Sequence, residues 1–167
     1  MKRAAWGTAV FFFLAPGTVS GLVPWMLSGW DRSSGGLRWT DVAGGFVIAI
    51  GLAVVIAAFV QFVREGRGTP APVAPTEQLV VGGLYRYVRN PMYLAVAAII
   101  GGQAILFSSA AIAWWLVAFM VAVFSFVVLY EQPTLTRTYG ASYEAYRAAV
   151  PGWRPRLTPW KGPTGVG

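Results

Sequence analysis

PMYLAVAAIIGGQAILFSSAAIAWWLVAFMVAVFSFVVLY, residues 91–130, is a run of 40 residues without a charged side chain. As one helix rising ~1.5 Å per residue it would extend roughly 60 Å, about twice the ~30 Å hydrocarbon thickness of a bilayer. The run must therefore fold back on itself. Ser108-Ser109, near its middle, is the natural place for a tight helical hairpin, giving expected spans over 92–108 and 110–130. Upstream, residues 42–63 contain Gln61 as their only strongly polar member and are long enough to cross once. Residues 4–27 are also long enough, with Pro16-Gly17 and Pro24 predicting a kink or an early end. The expectation is an all-α integral membrane bundle of about four transmembrane helices, in a single domain over residues 1–167.

Composition supports the same class. Of the 167 residues 56% are hydrophobic and 11% charged, less than half the charged share usual in soluble domains. The net charge of +7 would point to nucleic acid in a soluble protein, but so apolar a chain fits a membrane better. The absence of Cys and His excludes thiolate chemistry, His-based triads and the usual zinc sites, so no metal is expected. Met1-Lys2-Arg3 before an apolar run imitates a signal peptide. That run is longer than an ordinary h-region, and Pro24-Trp25-Met26 is a poor cleavage site, so a retained first helix is expected.

Basic residues set the expected orientation. Lys2 and Arg3, four arginines between spans two and three, and five Lys or Arg after Tyr130 fall on one side, against Arg32 and Arg38 on the other. This places both termini in the cytoplasm, as in a bacterial inner-membrane protein. Whatever the orientation, the linker 64–91 and the tail 131–167 share one membrane face, and nearly all polar chemistry lies in them. A candidate site is expected where they meet.

In the linker, three prolines at Pro70, Pro72 and Pro75 exclude regular structure and predict an extended strap. Gly82-Gly83 then bends the chain ahead of Leu84-Tyr85-Arg86-Tyr87-Val88-Arg89-Asn90-Pro91-Met92-Tyr93. Such a cluster suits either a membrane-interface anchor or a helix N-terminus that offers free N–H groups to an anion, with Arg89 alongside. In the tail, Glu131 stands at the border of an uncharged helix, where a carboxylate needs water or a cation. Leu135, Tyr139, Tyr143, Tyr146 and Val150 recur at helical spacing and predict one amphipathic helix, despite Gly140. Trp153 and Trp160, among Arg154, Arg156 and Lys161, read as an anchor at the lipid surface. Nothing else supports a nucleic-acid partner. Gly101-Gly102 permits close helix approach, within the hairpin or between chains.

Together these segments resemble one family. Gly83-Leu84-Tyr85 followed by Arg89-Asn90-Pro91-Met92-Tyr93 is similar to the glycine-x-tyrosine, arginine-histidine-proline-x-tyrosine signature of the isoprenylcysteine carboxyl methyltransferase and phospholipid methyltransferase family. Glu131-Gln132-Pro133, Tyr139-Gly140, Tyr143, Tyr146 and Val150-Pro151-x-Trp153 resemble its C-terminal block in the same order. The resemblance covers roughly the last hundred residues. It implies an integral-membrane methyltransferase that uses S-adenosylmethionine, releases S-adenosylhomocysteine and acts at the cytoplasmic face. Carried over, the cofactor contacts are Glu77, Gln78, Leu79, Val80, Tyr85, Arg89, Asn90, Pro91, Met92, Tyr93 and Glu131. Glu131 would pair a cation, while Arg89 and the helix N-terminus would favour a carboxylate.

This chain departs from the pattern at three places. Asn90 replaces the family's His, Gln132 replaces the second Glu of its acidic pair, and Val127 stands where the prenylcysteine enzymes place an Arg that meets substrate. The last departure argues against prenylcysteine and for another lipophilic acceptor, a lipid or small molecule entering from the bilayer. The first two motivate an alternative, a non-catalytic membrane protein of the same fold that binds lipid or a protein partner.

Overall fold

The computed structural model describes residues 16–31, 36–66 and 79–162, and every regular element among them is helical. Most of the expected first span (residues 4–15), the proline strap, Glu77 and Gln78 lie outside the described residues. Helix α1 (Val23–Ser28) follows a π-helical stretch, Thr18–Leu22. Helix α2 is Trp39–Gly66, α3 is Pro91–Leu106 and α4 is Ala110–Phe126. A second π-helical stretch, Val127–Glu131, joins α4 to α5 (Gln132–Tyr139), and α6 (Ala141–Ala149) follows.

Two of these helices are long and apolar enough to cross a membrane, Trp39–Gln61 and Ala110–Tyr139, while Pro91–Leu106 is a shorter apolar helix. The expected second span gains a turn at its start because the Asp41 carboxylate accepts from the Arg38 backbone N–H at 2.9 Å, closing the first turn of α2. The hairpin forms at the expected serines. Ser108 adopts φ +48°, and Ser109 Oγ accepts from the Ile112 N–H to cap α4.

Helices α2 and α3 lie against each other through glycines. A Cβ on Gly44 would stand 2.6 Å from the Gly102 carbonyl, one on Gly102 would meet Gly44 O at 2.8 Å, and one on Gly51 would meet Ala95 O at 2.9 Å. Missing side chains thus let two backbones touch, the means of helix association where lipid removes the hydrophobic drive. Gly102 therefore serves α2, while Gly101 meets Leu116 across the hairpin. Val55, Ala95, Val96, Ile99, Ile100 and Ile112 form the core between α2, α3 and α4.

The two π stretches share a cause. Each is followed by a proline at the second position of the next helix, Pro24 in α1 and Pro133 in α5. A proline has no N–H to donate, and an i to i−5 turn places the missing bond where the ladder is already shifted. Val23 N–H reaches Thr18 O, and Gln132 N–H reaches Val127 O. The first shift also leaves carbonyls for side chains: Gln103 Nε2 donates to Ser20 O at 2.6 Å and Trp115 Nε1 to Val19 O at 2.9 Å. Gln103, 6% exposed within an apolar helix, also accepts from Trp30 Nε1 at 3.1 Å. Its amide thereby ties the first helix to α3.

The second shift corrects one expectation: the helix of the last span does not stop at Tyr130 but continues through Pro133. Another correction concerns the tail. In place of one amphipathic helix, α5 and α6 are separated at Gly140, whose φ of +51° and ψ of −129° no helix contains.

Candidate functional site

The end of the linker and the tail meet at the end of the bundle opposite the Ser108-Ser109 turn. Gly83 opens a single 3-10 turn, Gly83–Arg86, with φ +52°, and a Cβ there would sit 2.9 Å from the Gln61 amide. The positive φ selects glycine, while the Gln61 side chain has the freedom to shift. Past that turn the tail runs beside the linker through backbone bonds: Arg89 N–H to Pro151 O at 3.0 Å, Arg156 N–H to Tyr87 O at 2.9 Å, and Trp160 N–H to Arg86 O at 3.0 Å.

Side chains reinforce this seam. Tyr146 Oη donates to Tyr85 O at 2.7 Å, and Arg86 Nε donates to Trp160 O at 2.6 Å. Arg89 donates from Nε to Val150 O at 2.8 Å and from Nη1 to the Tyr143 hydroxyl at 3.1 Å. Burial pushes the Tyr143 phenol upward from its ordinary pKa, and the neighbouring Arg89 guanidinium works against that rise. Arg89 is thus first a tie between linker and tail. The Trp160 ring stands 5.3 Å from Tyr146 and packs, half-buried, on the tail's own core.

The sequence-predicted residues divide into two groups. Leu79 packs on the Tyr143, Tyr146 and Val150 cluster, and Val80, Tyr85 and Met92 join Ala58 in another, so these four form apolar walls. Arg89, Asn90, Pro91, Tyr93 and Glu131 come together around the first turn of α3. Tyr93, one turn into α3, donates its hydroxyl to Glu131 Oε2 at 3.0 Å. The bond joins the start of α3 to the end of the π stretch and answers what Glu131 does at the edge of an uncharged helix.

Asn90 is the unusual member. It holds the N-cap position of α3 and is 7% exposed, yet its side chain makes no capping bond. Its Nδ2 is buried without a hydrogen-bond partner among the described residues. Gly152 lies directly above, where an added Cβ would come within 3.2 Å of Arg89 Nη2 and 3.4 Å of Asn90 Nδ2. A buried donor lacking an acceptor is costly unless an acceptor arrives, and the N–H groups of a first helical turn point toward the same space. In chemical terms the Asn90 amide donor complements an anionic group and the Glu131 carboxylate a cationic one.

The sequence marks Tyr143, Tyr146 and Val150 as a periodic stripe and as part of the C-terminal block of the family resemblance, without placing Gly152 at the site. The stripe was the available signal, since three buried positions at helical spacing must face something. Among the described residues no cluster of acidic side chains could hold a metal ion.

Comparison with known protein families gives a match over more than half of the chain. The family model described as phospholipid methyltransferase matches residues 39–142, from the start of α2 into α6. No curated protein and no solved structure matches the chain.

Proposed function

Because the chain belongs to the phospholipid methyltransferase family, we propose that it moves a methyl group from S-adenosylmethionine to a lipophilic acceptor at the cytoplasmic membrane face. In this proposal the bundle has four spans, with both termini cytoplasmic. The cofactor would lie between linker, α3 and tail, touching Leu79, Val80, Tyr85, Arg89, Asn90, Pro91, Met92, Tyr93 and Glu131, with Glu77 and Gln78 added by resemblance. S-adenosylmethionine supplies the electrophilic methyl on a sulfonium centre, together with a carboxylate and an ammonium by which it can be held.

The observation that carries the proposal is the unpartnered Nδ2 of buried Asn90. An amide donor is uncharged but complements a carboxylate, and the α3 N-terminus adds its partial positive charge. Glu131 offers the opposite charge, and Tyr93 Oη holds its carboxylate in one orientation. Gly152 keeps the space above Asn90 clear of side-chain atoms. Leu79, Val80 and Met92 give the apolar surface that excludes water from a displacement reaction. Since the reactive group is not the protein's own, a chain without Cys and His can bind, orient and desolvate the reactants.

Val127 bears on the acceptor. It is fully buried at the start of the π stretch, so the position that carries a substrate-meeting Arg in prenylcysteine enzymes is apolar here. This favours an acceptor without a prenylcysteine carboxylate. Incubating detergent-purified protein with a membrane lipid extract and tritiated methyl donor tests the proposal. Label should enter the organic phase, and Glu131→Ala should abolish it. A protein that leaves every lipid fraction unlabelled favours the non-catalytic alternative.

A further inference from the structure

The tail segment after α6 contains a surface that neither the bundle nor the cofactor site uses. Pro151 and Gly152 run along the linker, and the next residue, Trp153, sets its ring 5.8 Å from Phe124 of α4. Phe124 lies within the uncharged run, two turns before Glu131, and is half exposed on the outer face of its helix. Trp153 thereby lies against the exposed face of a helix long and apolar enough to cross a membrane. The chain then returns to the linker at Arg156 and Trp160, whose N–H groups bond Tyr87 O and Arg86 O.

Between those fixed points Leu157 is 100% exposed. Arg154 and Lys161, both exposed, flank it, and neither meets a carboxylate among the described residues. Arg156 points back, with Nη1 on Ala149 O at 2.8 Å. An aliphatic tip between two exposed cations, on a loop tethered to an apolar helix by an indole, complements an anionic interface: the tip would enter the acyl boundary while the cations meet phosphates.

We propose that the loop from Trp153 to Lys161 is a docking surface for the anionic phospholipid headgroup layer, with Leu157 inserted and Arg154 and Lys161 on lipid phosphates. This surface is separate from the proposed cofactor contacts and stands whether or not the protein transfers methyl groups. It also links lipid charge to the site, because Pro151 and Gly152 of the same segment border Arg89 and Asn90.

The chain has no cysteine, so a single introduced thiol can be labelled without background. The full-length Leu157→Cys variant, carrying an environment-sensitive nitrobenzoxadiazole probe, is placed in nanodiscs of phosphatidylglycerol or of phosphatidylcholine. In phosphatidylglycerol the probe should emit to the blue and resist iodide quenching, and in phosphatidylcholine it should be more accessible. Adding Arg154→Gln and Lys161→Gln should erase the difference between the two lipids, with the preference falling by up to about thirtyfold at roughly fivefold per charge. Water-like emission in both discs would overturn the proposal and leave the loop to a soluble partner. Equal burial in both would overturn the assignment to anionic lipid.

Discussion

Asn90→Ala separates a binding residue from a structural one by the sign of two effects. An ordinary N-cap Asn loses about 1 kcal/mol of stability on truncation because its side chain satisfies a first-turn N–H. Asn90 makes no such bond, so that loss does not apply. Its Nδ2 instead carries the penalty of a buried donor without an acceptor, about 1 to 3 kcal/mol in the ligand-free protein. Truncation removes that penalty along with the contacts of one amide, on the order of 1 kcal/mol. The ligand-free variant should therefore melt at or above the wild-type temperature in detergent. Binding should move the other way. Loss of a hydrogen bond to a charged carboxylate is worth about 1.5 to 3 kcal/mol, or roughly ten- to 150-fold in the Kd for S-adenosylhomocysteine. Thermal melting followed by titration calorimetry on one preparation measures both. A variant that is less stable by about 1 kcal/mol yet binds with unchanged affinity would refute the reasoning and make Asn90 a cap.

Four further substitutions, one of them a control, test the frame that holds the site. Gly102→Ala places a Cβ 2.8 Å from Gly44 O and 2.7 Å from Ile48 Cγ1, so it should cost at least about 1 to 3 kcal/mol, whereas Gly45→Ala meets nothing within 4 Å and should be neutral; melting temperatures in detergent decide. Gln103→Leu removes the donor to Ser20 O and the acceptor of Trp30 Nε1, so the melting temperature should fall by the equivalent of about 1 to 3 kcal/mol and proteolysis should cut near the first helix. Tyr146→Phe leaves Tyr85 O without its 2.7 Å donor, and hydrogen exchange should show faster opening of the linker and tail seam while α2 and α3 stay protected.

Much of the plan was legible because charge is so unevenly spread. A gap of 41 residues between Arg89 and Glu131 forces a hairpin, and the small polar pair near its centre marks the turn. Topology alone then brings linker to tail, which the bonds from Arg89 to Val150 and from Tyr146 to Tyr85 display. What stayed hidden depends on local ladders and on direction. Pro133 announces a break only if the preceding turn is α-helical, and the π stretch Val127–Glu131 carries the helix past it. Gly140 is masked by a good apolar period, because a period is kept across a bend when both halves face one partner. Trp160 among basic residues has the composition of a lipid anchor, but in the fold it turns toward Tyr146 while Leu157 faces out. Gly102 signalled close approach without naming α2 as its partner. Gly152 gave no signal of its own, because its value lies in the neighbour it leaves uncrowded.

The most direct measurement is calorimetric titration of the purified full-length protein with S-adenosylmethionine and with S-adenosylhomocysteine. Both should bind saturably at one site per chain, weakened by Glu131→Ala and by Tyr93→Ala, the two ends of the 3.0 Å bond beside the site. No heat of binding at concentrations well above micromolar, from protein shown to be folded by its melting transition, would contradict it.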